Sequence, residues 1–385
     1  EEIYPAASKA CKEDEARHER AKQATVELQN KRPGYFALWK HFLSVSIESM
    51  KTNFGALNVH FDLWNGEASV HDLIEPMAEK LKASSHAIED DGALVIPVQK
   101  NDDKKEMPPL ILYKKDGAVM YGTTDLATLV ERMDLYNPSK IVYVVDHRQH
   151  LHFEQVFRAS RLSGIVPQST ALNYVGYGTM NGTDGKPFKT RAGGVMKLDD
   201  LLSMGREKAL ARLEEAKIGN DFSEDEKLDI ATKIGLSAIK FADLQNNPVT
   251  DYVFDLDRMT SFEGKTGPYI LYQAVRIKSL LRKAEAQGDI IGDIINVSDS
   301  NKALVLLMSE LSNVLEGTCR HYSPHILADY IYNLAQAFSS FYNSCHILSE
   351  ENAGVKASHL ALCQLVSDQL ETCMGLLGVD IPERM

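Results

Sequence analysis

Two short stretches concentrate side chains suited to binding a charged small molecule. The first is Tyr121-Gly-Thr-Thr124-Asp125-Leu126-Ala127, at a predicted strand-to-helix junction. A carboxylate held there suits a cationic substrate, because carboxylate and guanidinium or ammonium pair through charge-assisted hydrogen bonds. The plainer reading is that Asp125 serves the first turn of its helix electrostatically. The second is Asp146-His147-Arg148-Gln149-His150-Leu151-His152-Phe153, at the end of the next predicted strand. Together the two place polar groups at one sheet edge. Three histidines within six residues invite a metal, but no acidic or cysteine partner has matching spacing and residues from 151 onward read as helix. No bound metal is expected. Histidines capping a helix and touching a nucleotide fit better.

The stretch 176–194 carries six glycines together with Lys186, Lys189 and Arg191. It follows a predicted strand, and open α/β sheets bind ligands at the carboxyl ends of their strands. A glycine-rich loop bringing cations to that edge suits polyphosphate. It is not a Walker A loop: Gly185-Lys186 is followed by Pro187, and Met180 stands where the upstream glycine belongs. It is not a dinucleotide fingerprint either, since Pro187 and the Gly193-Gly194 pair block a helix start. A long surface loop between domains is the alternative.

A third constellation lies on a predicted helix beginning at Gly267. Ile270, Ala274, Ile277 and Leu281 recur at helical spacing and form a core face. Tyr269, Tyr272, Arg276 and Lys283 fall on a second stripe, with Arg282 off it. Tyrosines beside cations suit unstacked bases and phosphates; a solvated helix with boundary tyrosines is the plain alternative. In a later helix Leu327, Ile331, Leu334, Phe338, Phe341 and Cys345 form a core stripe, with Tyr342 at its margin.

These groups need elements to hold them. Helices are predicted over 6–30, 35–53 and 72–82, and a strand over 56–62. Strands then follow at 93–98, 110–114, 119–121, 140–146 and 171–177, interleaved with helices at 124–133 and 151–162. The continuous β-branched run Ile141-Val142-Tyr143-Val144-Val145 reads as a strand buried on both faces of a parallel sheet. Beyond Gly194 helices dominate, at 198–218, 223–246, 266–287, 300–316, 324–348 and 356–375, with 252–256 extended. The pattern is α/β followed by all-α. A chain of 385 residues with 44% hydrophobic content is ample for two or three packed domains. No apolar run approaches a membrane span, and the first residues have no signal-peptide pattern. Five scattered cysteines without a Cys-x-x-Cys pair fit reduced thiols in the cytosol. The net charge of −12 requires any RNA contact to rest on a local patch.

Taken together these motifs resemble bacterial arginyl-tRNA synthetases, in order and in spacing. The matching residues are Tyr121…Thr124-Asp125-Leu126-Ala127, Tyr143-Val144-Val145-Asp146-x-Arg148-Gln149-His150-x-His152-Phe153 and Gly185-Lys186-Pro187-Phe188-Lys189-Thr190-Arg191. So do Lys240-Phe241-Ala242-Asp243-Leu244, Asp251-Tyr252-x-Phe254-Asp255, Thr266-Gly267-Pro268-Tyr269-x-x-Tyr272 and the final Arg384-Met385. The resemblance implies part of a Rossmann-like class I catalytic domain over 1–197, a helical linker over 198–258, and an all-α anticodon-binding bundle over 259–385. It implies arginine recognition by Tyr121, Asp125 and Gln149, and nucleotide contacts from His150, His152, Gly176 and Lys189. Lys189 and Arg191 would neutralise charge on the ATP phosphates in catalysis. Tyr269, Tyr272, Arg276, Arg282, Lys283, Tyr342 and Met385 would contact tRNA. The implied partners are L-arginine, ATP with accompanying Mg2+, and arginine-accepting tRNA, for a cytoplasmic monomer without membrane contact.

One departure stands out. The His-x-Gly-His motif of class I synthetases is absent from these residues. In the family that motif and the domain that contacts the tRNA elbow lie upstream. The chain is therefore expected to begin inside the catalytic domain and to be inactive alone. Two rival readings remain: a tRNA-binding module without catalysis, and a nucleotidyltransferase of the same fold class acting on a small molecule. The polar strand ends argue against a purely structural protein.

Overall fold

The computed structural model describes residues 3–182, 184–186, 196–219, 221–295 and 297–385. The chain divides into two units, Glu1–Trp64 and Asn65–Met385. The first holds α1 (Ile3–Glu13), α2 (Glu15–Gln29) and α3 (Pro33–Ala56), none of which buries a residue fully. One helix was expected over 6–30. Asp14 splits it, because its carboxylate accepts from the Ala16 and Arg17 amides and caps α2. The strand expected at 56–62 does not form. Leu57 closes α3, and Phe61 and Trp64 turn edge-on to Phe54, with ring centroids 4.9 and 5.9 Å away. The aromatic cluster takes the side chains that suggested a pleat.

The second unit opens with α4 (His71–Ala83) and an antiparallel sheet of β1 (Ile88–Asp90), β2 (Ala93–Ile96) and β3 (Leu110–Tyr113). Next come α5 (Tyr121–Tyr136), β4 (Lys140–Asp146), α6 (His150–Leu162) and β5 (Ala171–Tyr177). The strand expected at 119–121 shrinks to a single bridge between Val119 and Tyr113. Tyr121 instead opens α5, which sits so close to β3 that a Cβ on Gly122 would lie 2.5 Å from Leu110 Cδ1. β4 and β5 pair in parallel from Lys140↔Ala171 to Asp146↔Tyr177, so both carboxyl ends emerge at one edge. Burial on both faces of β4 was expected, and only one face is covered. Ile141 and Tyr143 are buried, with Tyr143 against Phe153 at 4.7 Å, whereas Val144 is 65% exposed.

Four shorter or linking elements follow: β6 (Met180–Asn181), α7 (Leu198–Glu215), α8 (Glu224–Leu244) and β7 (Tyr252–Val253), which pairs in parallel with β6. After the short α9 (Leu256–Met259) the rest is helical: α10 (Gly267–Ala286), α11 (Lys302–Ser309), α12 (Leu311–His321), α13 (Pro324–Ser344) and α14 (Ala353–Leu376). The single helix expected at 300–316 is two, broken at Glu310. A continuous core runs from Leu213 and Ile234 through Ile270, Ile277 and Leu334 to Leu370. It includes the stripe expected on α13. α10 is buried on more of its circumference than one stripe, since Leu271, Gln273, Val275 and Leu280 are also inside. α8 is the hinge of this packing: its Gly235 meets Gly205 of α7, and its Ser237 carbonyl meets Gly267 of α10. No helix among the described residues is long and apolar enough to cross a membrane.

Candidate functional site

At the carboxyl edge of β4 and β5 the backbone makes two sharp exits. Asp146 leaves β4 and accepts from the Arg148 amide, while the Arg148 guanidinium forks onto the same carboxylate at 2.8 and 2.5 Å. That guanidinium holds Asp146 far below the usual carboxylate range. Gln149 then caps α6 without a side-chain bond and is exposed. The β5 exit is close-packed. A Cβ on Gly176 would lie 2.8 Å from the Tyr174 hydroxyl and 3.1 Å from His147 Cα, so only glycine fits. One on Gly178 would lie 2.6 Å from the Thr250 carbonyl carbon. The Thr179 amide donates to Asp251 Oδ1 at 2.6 Å and the Thr179 hydroxyl to the same oxygen at 3.0 Å. These bonds lower the Asp251 pKa.

α5 brings its own residues to α6. Tyr121, its first residue, is 70% exposed. Asp125, one turn on, bonds His152 Nε2 through Oδ2 at 2.6 Å. Asp125 and His152 therefore meet through helix-to-helix packing. The edge expected to collect them as the ends of successive strands of one sheet does not do so, because β3 and β4 belong to different sheets. His150 opens α6 and lies edge-on to Tyr174 at 5.1 Å. Lys189 and Arg191 lie outside the described residues.

A second constellation lies in the helical bundle. Tyr272, Arg276 and Lys283 of α10, Tyr342 of α13, and Met385 line a cavity of about 210 Å3. The Arg276 guanidinium sits 3.8 Å over the Tyr342 ring, a cation–π contact that stiffens both side chains. Lys283 is exposed, its ammonium at the rim of the cavity wall. Two expected residues are placed elsewhere. Tyr269 packs on Tyr332 at 5.9 Å, and Arg282 donates to the Glu383 carbonyl at 2.9 Å.

The catalytic-domain model of class I (R) tRNA synthetases matches residues 1–256, and the DALR anticodon binding domain model matches 270–385. The chain belongs to the arginyl-tRNA synthetase family. It is 49% identical over its whole length to the arginine–tRNA ligase of Hyphomonas neptunium and 49% to that of Maricaulis maris, and spans 65% of each. Among solved structures, the arginyl-tRNA synthetase of Plasmodium falciparum superposes with a TM-score of 0.81 at 26% identity, covering 96% of this chain and 62% of that one.

Within this chain, sequence reasoning missed the bonds that fix the edge. Gly178, Thr179 and Asp251 join the β5 exit to the β7 entry across more than seventy positions. Gly178 and Thr179 stood in the glycine-rich stretch and Asp251 in a family motif, but neither signal joins them to each other. It likewise missed Lys278 and Glu383, and it singled out Arg384 without its partner Glu226, because these ion pairs are invisible without the fold. At the β4–β5 edge Asp146 is engaged by Arg148 and Asp251 by Thr179, and Asp125 of α5 is engaged by His152. The described cluster of His, Asp or Glu with metal-binding spacing, Glu15-His18-Glu19, is on α2 in the other unit.

Proposed function

We propose that the chain carries the arginine-selecting and anticodon-reading parts of an enzyme that activates L-arginine with ATP and esterifies it to tRNA. The cavity between α10 and α13 supports this best: tyrosine faces, an oriented guanidinium and an exposed ammonium are what an unstacked base and its phosphates need. Where α5 packs on α6, Asp125 Oδ1 would accept from the guanidinium of arginine, while His152 holds Oδ2. Tyr121 and Gln149, both exposed, would complete the contacts to the bound arginine. A planar fork meeting a fixed carboxylate discriminates against lysine. Mg2+ would arrive with ATP and screen its phosphates, and Lys189 and Arg191 would add positive charge as the arginine carboxylate attacks.

The test is anisotropy titration with arginine-accepting tRNA, unaltered and with the second anticodon base changed, at two salt concentrations. Tighter binding of the unaltered tRNA, lost in Tyr272→Ala, is the expected result; equal binding of both rejects the assignment. Phosphate contacts make both affinities fall with salt. These 385 residues contain no His-x-Gly-His motif. On that ground the chain alone should bind tRNA and form no arginyl-adenylate, and arginine-dependent pyrophosphate exchange by the chain would refute this.

A further inference from the structure

Residues 377–385 follow α14 without regular structure, yet they reach back to helices far earlier in the chain. Lys240 of α8 donates to the Gly378 carbonyl at 3.1 Å. Lys278 of α10, with a side chain only 12% exposed, lies 2.7 Å from both Glu371 and Glu383. Arg384 forks onto Glu226 of α8 at 2.6 and 2.7 Å and lies 4.3 Å over the Phe222 ring. Glu383 is thus tied to α10 and Arg384 to the start of α8, and the next residue, Met385, forms part of the cavity wall. Met385 is itself only partly buried, and a methionine side chain packs adaptably, so its own contacts do not fix where it stands.

We propose that residues 378–384 form a strap whose ion pairs position Met385. Glu226 and Lys278, neither of which lines the cavity, then help decide which base it accepts. This rests on the cavity being the anticodon site. Each exposed ion pair contributes little alone. The two-pronged Arg384–Glu226 pair and the shielded Lys278 are the stronger anchors, because a fork fixes direction as well as distance.

The experiment uses the 385-residue chain labelled with [13C]methyl-methionine, the Met385 signal being assigned by its loss in Met385→Leu. In the unaltered chain that methyl should be shifted from its random-coil position by the neighbouring tyrosine rings. Glu226→Arg should move it toward random coil and reduce the preference for the unaltered anticodon roughly threefold to tenfold. The charge swap Glu226→Arg with Arg384→Glu should restore both. An unmoved methyl and an unchanged preference in Glu226→Arg overturn the strap. So does a swap that restores neither, which would trace the effect to damage in α8. If the methyl responds and recovers while the unaltered chain shows no anticodon preference, the anticodon reading falls and the positioning of Met385 stands.

Discussion

Substituting Gly235 by alanine tests the packing that carries α10, and with it the cavity. Gly235 lies where α8 meets α7. A Cβ there would stand 2.6 Å from Gly205 C, 2.7 Å from Arg206 N and 2.8 Å from Gly205 O. All three atoms are backbone, so no rotamer relieves the contact. Reaching ordinary carbon contact distances requires the helices to part by about 1 Å. Overpacking of this kind costs about 1–3 kcal/mol. Alanine also gains about 1 kcal/mol of helix propensity over glycine, which blurs the sign of a single measurement. Gly317, in α12, supplies the reference, because nothing lies within 4 Å of its Cβ position. Gly317→Ala should take the propensity gain alone. The difference between the two variants isolates the steric cost, about 1–3 kcal/mol. For a unit of this size that corresponds to melting temperatures roughly 1.5–4.5 °C apart, Gly317→Ala being the higher. Thermal melts followed by circular dichroism at 222 nm measure the gap directly. A Gly235→Ala chain melting at or above Gly317→Ala would refute the claim that α7 and α8 touch backbone to backbone.

Three further outcomes follow from features already described. Gly267→Ala drives a methyl group against the Ser237 carbonyl of α8 at the start of α10, where little propensity gain compensates; it should melt several degrees below the unaltered chain and weaken tRNA binding, and unchanged values of both would count against the packing. Burial pushes the Cys363 thiol up to about 12 and the Cys373 thiol to about 11, whereas Cys319 is exposed. At pH 8 a chromogenic disulfide reagent should therefore label Cys319 rapidly and reach Cys363 and Cys373 only in denaturant, and fast labelling of all five thiols in the folded chain would contradict the core. Hydrogen bonding by Arg384 lowers the Glu226 pKa and by Lys278 lowers that of Glu383, both from 4.5. A depressed folded value stabilises fully above the unfolded value and is lost as pH falls through the folded one, so the Met385 methyl signal should hold steady from pH 7 to 5 and drift only below about pH 4. A drift centred near pH 6 would point to a histidine instead.

The helices of the bundle were legible because their apolar residues recur at a spacing that only one secondary structure satisfies; Leu327, Ile331, Leu334 and Phe338 leave no other reading. Short segments were not. Residues 56–62 alternate as a strand does, but seven residues cannot say whether Phe61 faces a sheet or the Phe54 ring. The β-branched run at 141–145 gave the strand and not its exposure, because burial of Val142 and Val144 depends on what lies over them and not on their type. Residue chemistry singled out Asp125 and His152 separately. Their bond arises from the packing of α5 on α6, a relation between positions 27 apart that local pattern does not encode. The tyrosine–cation stripe of α10 was half legible. Tyr272, Arg276 and Lys283 share the cavity, while Tyr269 and Arg282, one turn or less away, are drawn off by Tyr332 and Glu383 from other parts of the chain.

The strap also has a place in time. Its hydrogen bonds join residues separated in sequence by 101 to 158 positions, among the most distant pairings in the molecule. On a growing chain, α8 and α10 are made long before Glu383 and Arg384 exist, and contacts of such separation close late because so much chain entropy must be spent first. The helical bundle can therefore be fully folded while its cavity still lacks a wall. A variant lacking residues 383–385 would keep its helix content and still present an unfinished site.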